Sequence, residues 1–322
     1  MEELGRPLRF TADWGMANFY RIFGWVAHNL YARLGRSGLS SIDTSQAWVD
    51  AIEALATGTT DVTIATPTEF AVQAREGLGQ FDGRPHPEIR ALALLPHDDA
   101  VLIAVADESP INDLGDILRL ELPVRFALPP DDGACHAGWA CRVILDEYGL
   151  SREVVEGLGG SMAYREFPRF APSLLLAGHA DVVLNEAMML PDWKDLAERR
   201  PTRFLSVDEG VLRRLTDKYK MRSRSVHAGR LPGQTEALRT VDFSGWLVVT
   251  TEDLPEEVAY TLTSVMVETR GDLERLYNGA LSDTSPLTGP VRADHMPLTG
   301  DVPLHPGAER YYRERGLFER WT

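Results

Sequence analysis

The chain has 322 residues, of which 33 are basic and 48 acidic, for a net charge of −15; 44% are hydrophobic and 25% charged. That balance belongs to a folded globular protein, and the length exceeds what one hydrophobic core usually fills, so two lobes are expected. The acidic excess argues against a nucleic-acid partner, whose phosphates need a basic face, but leaves room for a small anion held by a local cluster of donors.

No run approaches about 18 apolar residues, so no direct membrane insertion is expected. Met1 to Pro7 contains neither a basic n-region nor an apolar h-region. The expected location is therefore cytoplasmic, or periplasmic or otherwise extracytoplasmic if a leader was removed. Cys135 and Cys141 fall six positions apart in one expected helix, near opposite faces, which disfavours a mutual disulfide. Two such thiols fit a reducing compartment.

In chain order, residues 8–12 read as a strand, followed by a helix whose apolar positions Phe19, Ile22, Phe23, Val26 and Leu30 repeat with helical period. A second helix is expected over 47–57, capped by Thr44 or Ser45. Asp61 to Ala65 reads as a buried strand running into the turn Thr66-Pro67-Thr68, with a helix beginning near Glu69. Residues 89–106 are strand-like, and a short helical turn opens at 112–114. A new strand at 124–128 passes through Pro129 to Gly133 into a helix carrying Ala140, Val143, Ile144 and Leu145. Further buried strands are expected at 181–184 and 246–250, and Pro255 suits the first turn of a helix reaching about Glu268. Residues 279–304, rich in Gly, Pro, Ser and Thr, read as an irregular surface wrap. Strand–helix alternation of this kind implies an α/β protein with mostly parallel sheets.

Six segments carry a resemblance: 11–20, 43–47, 56–62, 107–114, 175–182 and 303–312. In order and spacing, and over most of the chain, they resemble the TAXI family of TRAP-transporter solute receptors. The resemblance implies a two-lobed, periplasmic-binding-protein-like fold with two inter-lobe crossings. Lobe I is then 1–106 with 208–322, and lobe II is 107–207. It also implies a small-molecule carboxylate ligand in the cleft, at the carboxyl ends of strands and the amino ends of helices, as general α/β logic does.

The candidate ligand contacts are Trp14, Asn18, Ser45, Gln46, Thr66, Thr68, Asp132, Gly133, Cys135, His136 and Glu186. Asn18, Ser45, Gln46, Thr66 and Thr68 are polar groups at strand ends or helix starts, readable as donors to ligand oxygens or as ordinary capping and turn residues. Where the family has small hydroxyl residues at a helix start, this chain has Asp132-Gly133-Ala134-Cys135-His136, which crowds that spot. Trp14 suits a flatter or aromatic ligand. His97-Asp98-Asp99 follows a strand and either lines the cleft or forms a turn, the turn being the preferred reading, and His305 is read as a residue tying down the last helix.

The first reading is a solute-binding protein, with TRAP membrane subunits as partners only if the chain is exported. The alternative is a cytoplasmic enzyme on the same scaffold, a decarboxylase or other lyase acting on a cyclic or aromatic carboxylate. There Cys135, at a helix amino terminus that lowers a thiol's pKa, would act with His136 and Glu186; the plainer reading of the same residues is a small buried Cys, a His holding an anion, and a Glu186 paired with a surface arginine. No cofactor is expected, and no metal, because adjacent Cys and His match no standard ligand spacing.

Overall fold

The computed structural model describes residues 5–12, 18–45, 48–165, 170–277 and 287–318. The chain forms two compact units: Met1–His97 with Ser244–Thr322, and Asp98–Phe243.

Unit 1 begins with β1 (Leu8–Ala12), α1 (Asn18–Leu34), β2 (Ser40–Thr44), α2 (Val49–Ala56), β3 (Thr63–Ala65), α3 (Thr68–Glu76) and β4 (Ile89–Leu95). β1 pairs parallel with β2 and makes a parallel bridge from Phe10 to Val62. The helical period of Phe19, Ile22, Phe23, Val26 and Leu30 puts one face of α1 into the core, as expected of an amphipathic helix. Each such side chain contributes about 1.5–3 kcal/mol by leaving water.

Unit 2 takes the middle of the chain. It comprises β5 (Leu102–Ala106), α4 (Gly115–Arg119), β6 (Arg125–Leu128), α5 (His136–Glu147), α6 (Arg152–Gly157), β7 (Ser161–Tyr164), α7 (Phe170–Leu176), β8 (Val182–Asn185), α8 (Pro191–Arg199), β9 (Thr202–Leu205), α9 (Glu209–Tyr219), β10 (Ser223–Val226) and β11 (Leu238–Val241). Five strands form one sheet in the order β7-β6-β8-β5-β9, and β10 and β11 pair as an antiparallel hairpin. Trp193 and Leu175, from α8 and α7, are fully buried against one face of that sheet with Val183 and Ala104.

The chain then returns to unit 1 as β12 (Trp246–Thr251), α10 (Glu256–Tyr277) and α11 (Pro306–Glu314). α11 is pinned by its own residues. The His305 Nδ1 accepts the Gly307 N–H at 3.1 Å, and the Tyr312 hydroxyl donates to the Leu92 carbonyl at 2.9 Å.

The structure corrects the sequence reading in three places. The sheets are mixed rather than mostly parallel: β12 runs antiparallel to β3 and β4, and β5 antiparallel to β8 and β9. Both reversals occur in the strands that immediately follow a chain crossing, so β–α–β alternation carries no information about them. The crossings fall at 97/98 and 243/244 rather than 106/107 and 207/208. β5 bonds to β8 and β9, and Val207 donates to the Arg239 carbonyl, which keeps 98–106 and 208–243 in unit 2. Finally, neither Thr44 nor Ser45 caps α2: Thr44 ends β2, the Ser45 N–H extends the pairing to the Ala12 carbonyl, and α2 starts after Trp48.

Candidate functional site

In unit 1, the carboxyl ends of β1, β2 and β3 lie on one rim of the parallel strands. β3 leads through a cis Thr66-Pro67 bond into α3, and Thr66 and Thr68 are both buried there. The Thr66 carbonyl accepts the Trp48 indole N–H at 3.0 Å. Trp48 itself has φ 51°, a left-handed conformation that a bulky side chain rarely adopts. The Thr68 hydroxyl donates to Glu69, and the Thr68 N–H to the Ser244 carbonyl. Gly245, at φ +83°, completes the rim: a Cβ there would stand 2.9 Å from Thr68 Cγ2, so only glycine lets this segment approach.

An aromatic group backs this rim. Trp246 stacks on His97 with ring centres 4.0 Å apart and meets Phe19 edge-on at 5.5 Å. Asn18 opens α1, and its side-chain oxygen accepts from Arg21 at 2.9 Å, an engagement on its own helix. Trp14 and Gln46 lie outside the described residues.

In unit 2, the corresponding strand ends are those of β6 and β8. After β6, the Asp132 carboxylate accepts the N–H groups of Ala134 and Cys135 at 3.0 and 2.9 Å. Asp132 thus satisfies donors that the family resemblance would leave to a ligand. Gly133, at φ +86°, makes the turn, and α5 then packs so closely on Pro130 that a Cβ on Gly138 would overlap its carbonyl oxygen.

Cys135 and His136 are enclosed at the start of α5. Cys135 is buried, and burial pushes its thiol up to about 12 despite the opposing N–H groups of Gly138 and Ala137. The charge of Asp132 raises it further. A thiolate at this helix amino terminus, which the enzyme alternative would use, is disfavoured, because desolvation outweighs the helix dipole. His136 is fully buried, with its ring stacked on Trp139 (5.2 Å) and on Phe243 (5.6 Å), and burial pushes its imidazole down to about 3. Both groups are neutral near pH 7. Cys141 is also buried, and both thiols are free.

After β8, Glu186 is 8% exposed and Asp99 1%. The Asp99 carboxylate accepts the N–H groups of Ala100 (2.7 Å), Ala187 (3.1 Å) and Met188 (2.7 Å). Burial, the Asp99 charge and a hydrogen bond to Asp99 hold the Glu186 carboxyl well above the usual carboxylate range, so Glu186 keeps its proton and donates it to Asp99. Ala187, in the turn so formed, has φ 66°. In sequence, Asp99 belongs to a segment readable as a cleft wall or, preferably, as a turn. Its role depends on a segment 88 residues away, and no local pattern announces that pairing. Trp48 and Trp246 are absent from the sequence-derived candidates for the same reason.

Among the described residues, no group of three or more His, Cys, Asp or Glu side chains is placed to hold a metal ion, and no helix is long and apolar enough to cross a membrane.

A family model described as "NMT1-like family" matches residues 18–316. The chain belongs to the NMT1-like family. XAC2383 from Xanthomonas citri, solved with chloride and with ATP, is similar to this NMT1-like chain at 14% and 13% identity. Those alignments cover 97% of this chain and 96% of that one, with TM-scores of 0.53 and 0.51. PhnD1 from Prochlorococcus marinus, in complex with methylphosphonate, is similar at 12% identity over 97% of this chain and 98% of that one, with a TM-score of 0.50. At such identities the likeness establishes the fold alone: a two-lobed, periplasmic-binding-protein-like α/β fold.

Proposed function

We propose that this NMT1-like chain is a solute-binding protein for a small carboxylate-type ligand, of the TAXI kind that would serve TRAP membrane subunits if exported. The observation that carries the reading is where backbone strain is kept. Among the described residues, two non-glycine residues at positive φ, Glu121 and Lys220, follow the ends of helices α4 and α9. Two others, Trp48 and Ala187, stand beyond the carboxyl ends of β2 and β8. Each is held there by a buried hydrogen bond, from the Trp48 indole to Thr66 and from Ala187 to Asp99. Such conformations cost about 1–3 kcal/mol apiece and collect at ligand-binding positions. Strand carboxyl ends are also where open α/β sheets bind ligands.

The neutral, enclosed states of Cys135 and His136 favour binding over turnover, since they supply neither a thiolate nor a ready base. The test is saturation-transfer NMR on the purified protein with succinate, glutamate, benzoate and phthalate in one tube. Transfer to one compound with no new peaks over hours is expected. Product peaks would replace this reading with the lyase reading, and no transfer to any of the four would overturn the carboxylate assignment.

A further inference from the structure

Arg224, on β10, has no place in any motif of the sequence, yet it reaches both chain segments that open and close unit 2. Its Nη1 donates to the Asp99 carbonyl at 2.8 Å and stands 3.5 Å from Asp242 Oδ1, while its Nη2 donates to Asp98 Oδ1 at 2.5 Å. Asp98 is the first residue of unit 2, and Asp242 the one before its last. The Asp99 carbonyl also accepts the Phe243 N–H at 3.1 Å, so the two segments are joined by backbone and guanidinium at one point. Arg222 and Arg230 approach the same aspartates only at 3.9 and 3.7 Å, from more exposed positions. Arg224 is the better-seated group, with its side chain 22% exposed.

We propose that Arg224 is the positioning residue of the unit 2 rim: it clamps Asp98, Asp99 and Asp242, and so sets the Asp99 carboxylate that holds the turn at Glu186 to Met188. This rests on reading that rim as ligand-binding. The physical argument is the fork of the guanidinium. One planar group serves a carbonyl and two carboxylates at once, which fixes the Asp99 backbone in direction as well as place. The Asp99 side chain then has one orientation from which to meet Ala187 and Met188. A lysine ammonium is a single point charge and cannot hold three acceptors in a plane.

The test is hydrogen exchange with mass readout on the ligand-free protein, comparing Arg224→Ala, Arg224→Lys and Arg214→Ala. Arg214 pairs with Glu147 and serves as a control for losing an ion pair elsewhere in unit 2. Exchange in segments 186–188 and 242–244 is expected to rise by about tenfold or more in Arg224→Ala while β5 and β8 stay protected. Arg224→Lys should fall between Arg224→Ala and wild type, and Arg214→Ala should leave both segments unchanged. If Arg224→Ala does not fold, Arg224→Lys decides the matter on the same segments. Unchanged exchange at 186–188, or a rise spread evenly through β5 and β8, would overturn the proposal. Because no ligand is present, the outcome is independent of whether succinate, glutamate, benzoate or phthalate binds.

Discussion

Glu186→Gln isolates the proton held by the Asp99–Glu186 pair. In the folded chain Glu186 keeps its proton well above the usual value of 4.5, near which the unfolded chain releases it. Between those two values the folded state binds more protons than the unfolded state, so this group's contribution to stability is fully present below about pH 4.5 and is lost as pH rises through the folded pKa. One proton corresponds to a slope of about 1.4 kcal/mol per pH unit. Glutamine keeps the shape and an N–H for Asp99 but has no proton to lose. The stability of Glu186→Gln minus that of wild type should therefore climb by about 1.4 kcal/mol per pH unit above pH 5, and flatten once wild-type Glu186 ionises. Any fixed cost of the amide shifts this difference curve without changing its slope. Urea unfolding at about pH 5.5, 6.5 and 7.5, followed by circular dichroism, measures it. Other titrating groups cancel between the two proteins. A difference that stays constant across that range would refute the shared proton and, with it, the electrostatic account of the rim.

Two further outcomes follow from the same kind of reasoning. With Cys135 pushed up to about 12 and Cys141 higher than its usual value, the thiolate fraction of Cys135 is about a thousandfold below that of a free cysteine. Iodoacetamide at pH 8 should leave the native mass unchanged over an hour and add two labels in urea; rapid single labelling of the native protein would contradict the burial argument. His305 has its pKa lowered by burial, so the stability it confers by capping α11 is present above about pH 6.5 and lost as pH falls through its folded pKa, when Nδ1 can no longer accept the Gly307 N–H. His305→Asn retains a cap without that titration and should lose less stability than wild type between about pH 7 and 5; equal losses would show that the cap does not titrate there.

Helix α1 was legible because one period of apolar residues, Phe19 to Leu30, both defines the helix and names its buried face. β6 and β8 were legible because continuous apolar runs bounded by turn residues have few other readings. β2 was not: its burial alternates weakly, and Asp43-Thr44-Ser45 imitates a helix cap. Of the site, Glu186 could be singled out from the end of its strand, but its protonation could not. That depends on Asp99, placed beside it by the antiparallel pairing of β5 with β8.

Local pattern determined the α/β class, the main helices and the strand ends where polar groups gather, because propensity, periodicity and turn chemistry act within a few residues. Tertiary structure alone decided the strand directions after each crossing, the clamp of Arg224 on three aspartates, and the burial of Cys135 and His136. Each of these turns on desolvation or on a partner far away in the chain, and burial changes the sign of what a residue can do. A thiol at a helix start reads in sequence either as a nucleophile or as a small buried side chain; beside Asp132 and in the packed start of α5, Cys135 is a neutral core side chain.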